Sequence, residues 1–286
     1  MEEKMFIDKI EITHPQKIVY EKNKISKFEI AKYYSDVAKI MFPFVENRLI
    51  SVVRCHCKVG KECFFKKHPT TENLHIKKFV VDKKSGEEYF FLQNEKDIVY
   101  QAQMGTIEFH IWTSNIKNVN KPDILIFDLD PDSKVSLERL KKGVLYVKKI
   151  LDNLGLKSYL KTSGGKGYHI FVPFKASCSF EKCENFLKRI SILLEKEYSD
   201  LFTTNIRKEK RKNKIFVDYL RNSKGATCVA PYSLRAREGA SISFPISWRD
   251  LKNILPNEIT ILNYKKYLQK ANAWKDFFDF EQELTI

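Results

Sequence analysis

The sequence contains no long apolar run, and this absence excludes a simple membrane-spanning helix. No stretch of about 18 consecutive apolar residues, the length that reads as a bilayer crossing, is present. The first ten residues, MEEKMFIDKI, start with acidic side chains and lack the apolar core of a secretory signal. We therefore expect a cytoplasmic protein without a membrane partner.

Cysteine is also scarce, with six residues among 286. This is not the composition of a disulfide scaffold, and in a reducing cytoplasm we expect free thiols. Cys55, Cys57, Cys63 and His68 follow the spacing C-x-C-x5-C-x4-H, which lacks the paired C-x2–4-C spacing of structural zinc sites. Small buried thiols are therefore favoured over a zinc site.

Acidic residues are fewer than basic ones: the sequence has 36 Asp and Glu and 51 Lys and Arg, which gives a net charge of +15. This balance excludes an acidic solvating protein and favours a polyanionic partner, with nucleic acid first and an anionic membrane surface second. With 43% hydrophobic and 13% aromatic residues, the chain is globular and not a disordered basic tail. Its 286 residues correspond to about two domains or one large one.

Helix and strand patterns mix along the chain without strict βαβ alternation, which favours an α+β fold. The periodicity predicts helices over 26–41, 137–154 and 180–198 and one or two more over 263–283. Ser26 and Glu29 form a capping-box pattern, and Pro43 follows the first helix. Strands are predicted over 50–54, 89–93, 107–112, 123–130, 158–163, 168–174, 215–220 and 227–233, with a hairpin turn at Lys83–Glu87.

Three aspartates interrupt or end apolar runs. Asp128 and Asp130 share one face of a strand, with Cα atoms about 7 Å apart, so their oxygens could bridge hard cations such as Mg²⁺ or Mn²⁺. Asp218 lies inside the apolar run IFVDYL, where a buried carboxylate needs a partner or a metal. The residues alone leave two interpretations open: a two-metal site for phosphoryl transfer, or solvated strand ends.

Glycine-rich and basic segments follow these acids. In SGGKGYH, residues 163–169, backbone N–H groups could approach a phosphate, but the spacing is not that of a P-loop, and a plain hairpin turn stays open. Arg235 and Arg237 could clamp a triphosphate or a DNA phosphate. Phe64 and Phe65, next to lysines, suit base stacking if exposed and the core if not. The basic run RKEKRKNK, residues 207–214, is typical of a solvated loop.

Six ordered motifs give the sequence a specific resemblance, which runs from about residue 12 to residue 248. They are THPQK (13–17), CFFKKH (63–68), GTIEFHIW (105–112), FDLDPD (127–132), KTSGGKGYHIFVP (161–173) and IFVDYLRNSKGATCVAPYSLRAR (215–237). The sequence resembles the primase-type polymerase domain of DNA ligase D, in the archaeo-eukaryotic primase superfamily. The resemblance implies an α+β primase-polymerase fold, in which mixed and antiparallel sheets form a catalytic cleft flanked by helices.

The resemblance also implies a single catalytic domain over 1–286, divided into a DNA-end-binding part (1–120), a catalytic core (121–250) and C-terminal helices (251–286). It assigns catalysis and metal binding to Asp128, Asp130 and Asp218. It implies nucleotide contacts for Ser163, Lys166, His169, His110, Arg221, Asn222, Arg235 and Arg237. It implies DNA contacts for Lys17 and Lys27 (downstream 5′-phosphate), Phe64 and Phe65 (template), and Arg211.

The activity implied by the resemblance is template-directed nucleotide addition that fills gaps and extends ends in non-homologous end joining, with two Mn²⁺ or Mg²⁺ ions and a preference for ribonucleotides. Expected partners are DNA ends and gaps with a 5′-phosphate, nucleoside triphosphates, a separate ligase and a Ku-type end-binding protein, at the nucleoid. The chain is expected to be a stand-alone polymerase. A primase that starts chains de novo and a non-catalytic end-bridging module remain alternatives. The phosphatase motif D-x-D-x-T is only faintly resembled, because Asp132 takes the Thr position.

Overall fold

Within the part of the chain that the structure describes, two mainly antiparallel sheets of six strands each lie beside two short hairpins. The computed structural model describes residues 4–69, 73–268, 271–279 and 282–284. The strands are β1 (Met5–Ile7), β2 (Ile10–Ile12), β3 (Ile18–Tyr20), β4 (Ile25–Ser26), β5 (Arg48–Cys55), β6 (Cys63–Lys66), β7 (Lys77–Asp82), β8 (Glu87–Phe91), β9 (Thr106–Asn115), β10 (Ile124–Pro131), β11 (Tyr159–Thr162), β12 (Tyr168–Pro173), β13 (Phe202–Thr203), β14 (Ile215–Asp218), β15 (Cys228–Val229) and β16 (Pro245–Ile246). The α-helices are α1 (Lys27–Val45), α2 (Glu95–Gln103), α3 (Leu137–Asn153), α4 (Phe180–Glu197) and α5 (Lys265–Leu268).

Sheet I has the strand order β13-β14-β10-β12-β11-β16, and only the β13–β14 pair is parallel. Strand β12 is buried throughout, and β10 is buried from Ile124 to Phe127 and at Leu129, so both faces of the sheet are covered there. Helix α3 packs closely over the edge of the sheet at Gly143, where a Cβ atom would collide with the Ile215 side chain. The close packing holds β14 firmly beside β10.

Sheet II has the order β15-β9-β5-β8-β7, with β6 also paired to β5. Helices α1 and α2 pack together and contact this sheet, and Tyr34 of α1 donates a hydrogen bond to the carbonyl of Ile107 in β9. The Arg48 guanidinium at the start of β5 makes two hydrogen bonds, of 2.6 and 2.9 Å, to the Asp123 carboxylate just before β10. This bidentate ion pair ties the two sheets together.

The α+β prediction is confirmed, and most predicted elements are present within a few residues. The first helix begins as expected, with Ser26 as its N-cap and a complete capping box with Glu29. The prediction that it ends near residue 41 was wrong, because the helix continues through Pro43 to Val45. Phe44 and Val45 are buried, and this packing keeps the last turn helical despite the hydrogen bond that proline cannot donate.

Predicted elements near the C-terminal half are shorter in the structure. The strand expected over 227–233 is reduced to β15, because Tyr232 has a φ of +66° and leaves the extended conformation. The strand expected over 215–220 ends at Asp218, and a 3₁₀ turn covers Tyr219–Asn222. Of the helices expected over 263–283, α5 and a 3₁₀ turn at Ala271–Trp274 are present; residues 269–270 and 280–281 lie outside the described residues.

The expectation that all six cysteines are free thiols was wrong. Cys55 and Cys63 form a disulfide, because the β5–β6 register places them directly opposite each other with Cα atoms 4.1 Å apart. Cys57, Cys178, Cys183 and Cys228 are free. Over the residues that the structure describes, no helix has the combination of length and apolar character that would let it cross a bilayer.

Candidate active site

Four polar residues from four neighbouring strands form one row across sheet I. The register pairs Asp218 of β14 with Asp128 of β10, Asp128 with His169 of β12, and His169 with Lys161 of β11. Directly paired residues on adjacent strands project from the same face of a sheet. Asp130 lies two residues further along β10, so it joins the same face. The row of Asp218, Asp128, His169 and Lys161 is called the polar row from here on. With Asp130 beside it, the three predicted aspartates lie together, next to a histidine and a lysine.

The polar row opens into a cavity of about 560 Å³ between the two sheets and the loops around them. Strand β9 contributes His110, the turn between β11 and β12 contributes its glycines, and three segments, before β14, after β14 and after β15, contribute arginines. The cavity is lined by eleven of the predicted site residues: His110, Asp128, Asp130, Ser163, Lys166, His169, Arg211, Asp218, Arg221, Arg235 and Arg237. Apart from the aspartates, all the charged side chains in this group are basic, which suits a polyanionic ligand.

The aspartates are close enough to alter each other's ionisation. Burial and the charge of Asp128 both raise the pKa of Asp130 above its ordinary value. Burial also raises the pKa of Asp218; Arg221 opposes this increase, and Asp128 adds to it. Burial alone would raise the pKa of Asp128, but His169, Arg221 and Lys161 bring it well below its usual range. Carboxylates that repel one another in this way form a site that favours a cation.

Two arginines form ion pairs with the three aspartates. Arg221 places Nε 3.3 Å from Asp128 Oδ2 and Nη2 3.2 Å from Asp218 Oδ2, so it bridges the two carboxylates. Arg211 Nη1 lies 3.6 Å from Asp130 Oδ2, and its guanidinium stacks on the Phe216 ring. In the described part of the chain, no three His, Cys, Asp or Glu side chains are already gathered as metal ligands. The donors themselves fit Mg²⁺ or Mn²⁺, because clustered carboxylate oxygens are the ligands that hard cations take.

The turn between β11 and β12 is built from hydrogen bonds to Ser163. Its Oγ accepts from the backbone N–H groups of Gly165 (3.0 Å) and Gly167 (3.2 Å), and its carbonyl accepts from Arg235 Nη1 (2.5 Å). Gly164 has a φ of +65°, in the left-handed region. A Cβ atom at Gly167 would collide with the Leu129 carbonyl oxygen. The turn therefore lies directly against β10, next to the aspartates.

Glu108 is a functional residue that the sequence did not single out. Its carboxylate accepts from His110 Nε2 (2.8 Å) and from the Ala236 backbone N–H (2.7 Å), and it lies 3.1 Å from Arg235 Nε. Burial alone would raise the pKa of Glu108, but His110 and Arg235 lower it to about 2. A single buried carboxylate thus orients two of the predicted nucleotide-binding side chains.

Not every predicted residue reaches the cavity. Asn222 is buried below it, where its side-chain amide accepts from the Ile126 N–H (2.8 Å) and donates to the Ile126 carbonyl (2.7 Å). It supports β10 and does not line the cavity. Arg211, predicted to contact DNA, lines the same cavity as the aspartates. Lys208 and Cys228 also line it, although the sequence did not mark them individually.

A second pocket of about 270 Å³ contains Lys17 and Lys27. Lys27 Nζ donates to the Thr13 carbonyl (2.8 Å), and Lys17 Nζ donates to the His56 carbonyl. Burial and the charge of Lys17 lower the pKa of Lys27 to about 8. Two ammonium groups in one pocket repel each other, and an anion bound between them would relieve this repulsion.

Phe64 and Phe65 lie on β6, and both are partly exposed, at 39% and 46%. They are therefore not core residues, which was one of the two interpretations left open. Phe64 contacts the His56 ring (centroids 4.9 Å apart) and Phe65 contacts the His110 ring (5.4 Å). Through these two contacts β6 connects the second pocket, which His56 lines, with the cavity, which His110 lines.

Known proteins share both this sequence pattern and this fold. The family model for the LigD primase-polymerase domain matches residues 26–275. The multifunctional non-homologous end joining protein LigD of Pseudomonas aeruginosa is 35% identical over 198 residues, 68% of this chain and 23% of that protein. The bifunctional LigD of Bacillus subtilis is 28% identical over 197 residues, 68% of this chain and 32% of that protein. The polymerase domain of Mycobacterium tuberculosis ligase D in complex with DNA superposes with a TM-score of 0.86 at 25% identity, covering 94% of this chain and 98% of that one.

The family match and the fold define a nucleotidyltransferase of the DNA-directed polymerase class. Within that class, the chain belongs to the family of LigD primase-polymerase domains. It spans about a quarter to a third of the length of the curated relatives it matches. The resemblance found in the sequence motifs is thereby confirmed.

Gly167→Ala should lower both stability and activity. The added methyl group meets the Leu129 carbonyl, so β12 must shift away from β10 at the polar row; overpacking of this kind typically costs about 1–3 kcal/mol. Gly165→Ala is the matched control, because the nearest atom to its Cβ is Ser163 Oγ at 3.3 Å and its φ is not positive. Denaturant unfolding of both variants measures the difference. Equal stability of the two would contradict the close approach of the turn to β10.

Proposed function

We propose that this protein adds nucleotides to DNA 3′ ends under the direction of a template, filling gaps and extending ends during the joining of broken DNA. The observation that carries the proposal is the polar row: Asp128 and Asp218 are paired across two strands, with Asp130 beside them, at the floor of a basic cavity. This is the arrangement that in-line phosphoryl transfer requires, with acids for cations and basic groups for the triphosphate.

The residues around the cavity have distinct roles in this reaction. Asp128, Asp130 and Asp218 would hold two divalent ions, Mn²⁺ or Mg²⁺. When bound, such ions lower the pKa of the attacking 3′-hydroxyl and neutralise the departing pyrophosphate. Lys166 and the turn at 163–167 would contact the triphosphate, and Arg235 and Arg237 lie directly against this turn and line the same cavity. Arg221, which bridges two carboxylates, would exchange those contacts for the triphosphate once cations are present.

The second pocket would hold the 5′-phosphate at the far side of a gap. Lys17 and Lys27 provide two positive charges in a partly enclosed space, and Phe64 and Phe65 are exposed between this pocket and the cavity. A template base could stack on these rings while the backbone follows the lysines. Contacts that are mainly to phosphates make DNA binding fall steeply with salt.

Other features of the proposal come from the relatives. The curated relatives are named for non-homologous end joining, and the solved neighbour is described in complex with DNA. On this basis we propose that the protein acts at broken DNA ends; a Ku-type end-binding protein and a separate ligase as partners are expected from the sequence resemblance alone. The preference for ribonucleotides is proposed from the family alone.

Asp128→Asn and Asp218→Asn should each reduce nucleotide addition by about a thousandfold or more, because each removes a charge that the cations require while keeping the side-chain shape. DNA binding should change by less than about threefold. Primer extension and fluorescence anisotropy measure the two quantities separately. Asp132→Asn is the control, since Asp132 is on the same chain segment but does not line the cavity. Full extension activity in either of the first two variants would exclude the assigned chemistry.

Recognition of the 5′-phosphate should weaken as the pH rises through about 8. The pKa of Lys27 is lowered to about 8, so the side chain is a charged ammonium below that pH and a neutral amine above it. The phosphate stays a dianion over this range. We expect binding to a phosphorylated gap at pH 8.5 to take up a proton, detected by calorimetry in buffers of different ionisation enthalpy.

Two variants separate the contributions of the lysines. Lys27→Arg keeps its charge and should flatten the pH dependence, while Lys17→Ala combined with Lys27→Ala should remove the preference for phosphorylated gaps. A preference that stays constant to pH 9.5 in the unmodified protein, or that survives in the double variant, would assign these lysines another role.

A further inference from the structure

Lys161 is a completely buried lysine at the inner end of the polar row. Lysines are almost never fully buried unless their ammonium group is paired. Lys161 lies in one of the six sequence motifs but was not predicted as a site residue. The Lys161 side chain does not line the cavity. Its position beside His169 in the polar row therefore needs its own explanation.

Each contact of Lys161 Nζ is with a group that accepts hydrogen or attracts positive charge. Nζ lies 2.9 Å from His169 Nδ1 and 5.3 Å from the centroid of the Phe171 ring, and it contacts Ser243 Oγ. The Ser243 hydroxyl donates its own hydrogen to the Thr162 carbonyl (3.1 Å), so its oxygen is left to accept from Lys161. These contacts fit a charged lysine ammonium, which donates hydrogen bonds and accepts none.

The consequence for His169 concerns which ring nitrogen carries hydrogen. An ammonium cannot accept a hydrogen bond, so Nδ1 of His169 must accept and its hydrogen must be on Nε2. The Cys228 thiol, 3.4 Å from Nδ1, is another donor on the same side. On the opposite side, Nε2 faces Asp128 Oδ1 at 3.3 Å. Both sides of the ring agree on the same tautomer.

We propose that Lys161 is a positioning residue that fixes His169 as the Nε2–H tautomer, so that the imidazole presents a donor, and never an acceptor, to Asp128 and the cavity. His169 then cannot ligate a cation through Nε2 and cannot remove the proton of the 3′-hydroxyl. Its donor engages Asp128 Oδ1, while Arg221 engages Oδ2. Contacts to both of its oxygens thus orient the Asp128 carboxylate. That this orientation matters for catalysis rests on the proposed function.

The tautomer can be observed directly by ¹⁵N NMR of the imidazole rings. The sequence has six histidines, and a His169→Gln spectrum assigns the signal of interest. In the unmodified protein we expect a protonated Nε2 and an unprotonated Nδ1. A ring protonated on Nδ1 or on both nitrogens would overturn the proposal. His110 serves as an internal reference, because its Nε2 is bonded to Glu108 in a separate network.

Two variants separate the influence of Lys161 from that of Asp128. Asp128→Asn removes the carboxylate that also favours a hydrogen on Nε2; with Lys161 still present, we expect the Nε2–H tautomer to persist. Adding Lys161→Met should then give a mixture of tautomers. A mixture in Asp128→Asn alone, or an unchanged tautomer in the double variant, would show that Lys161 does not fix the ring. If the double variant does not fold, the first two spectra still decide the question.

Activity provides an independent measurement. Loss of a group that orients a ligand of the reaction centre typically costs 10–100-fold, so Lys161→Met should lower kcat for nucleotide addition by about that factor, with KM for the nucleotide changed less than about threefold. An unchanged kcat would overturn the positioning role. The spectra and the kinetics also separate this proposal from the proposed function: an inactive protein with the expected tautomer refutes only the function, and an active protein with the other tautomer refutes only the role of Lys161.

Discussion

The register of four antiparallel strands determines where the chemistry of this protein lies. Asp218, Asp128, His169 and Lys161 are brought into one row only because β14, β10, β12 and β11 pair in one alignment. A slip of one residue in any pair would turn a member of the row to the opposite face of the sheet. The helices, the Gly143 contact and the tight turn at Gly167 all hold this alignment, so packing far from the cavity also supports the site.

Charge is the second constraint, and it follows from the first. Three carboxylates gathered at one edge of a buried row repel each other, and the protein offsets this repulsion with Arg221, Arg211 and the buried Lys161. Arg211 and Arg221 lie on the segments that flank β14, whereas Lys161 is buried inside the sheet. The aspartates therefore have positively charged partners from the protein itself.

The sequence singled out the aspartates because an acid within an apolar strand pattern demands a partner, and it predicted a turn at 163–167 from its glycines. It could not predict the register, because β-strand pairing depends on residues distant in the chain. For the same reason Lys161 and Glu108 were missed: Lys161 contacts His169 and Ser243, and Glu108 contacts Arg235 and Ala236, which lie on other segments of the chain. Asn222 was assigned to the nucleotide by resemblance, yet its amide is occupied by the Ile126 backbone. The Cys55–Cys63 bond likewise depends on register and not on composition.

The activity proposed for this site is extension of a DNA primer across a gap under the direction of a template. It is tested most directly by nucleotide incorporation with Mn²⁺ on a gapped duplex, with and without the downstream 5′-phosphate, beside a primer-free template. The parallel use of ribo- and deoxynucleotides tests the sugar preference in the same assay. We expect primer-dependent, template-matched addition that the 5′-phosphate stimulates. Efficient synthesis on the primer-free template, with no response to the phosphate, would contradict it and indicate a primase.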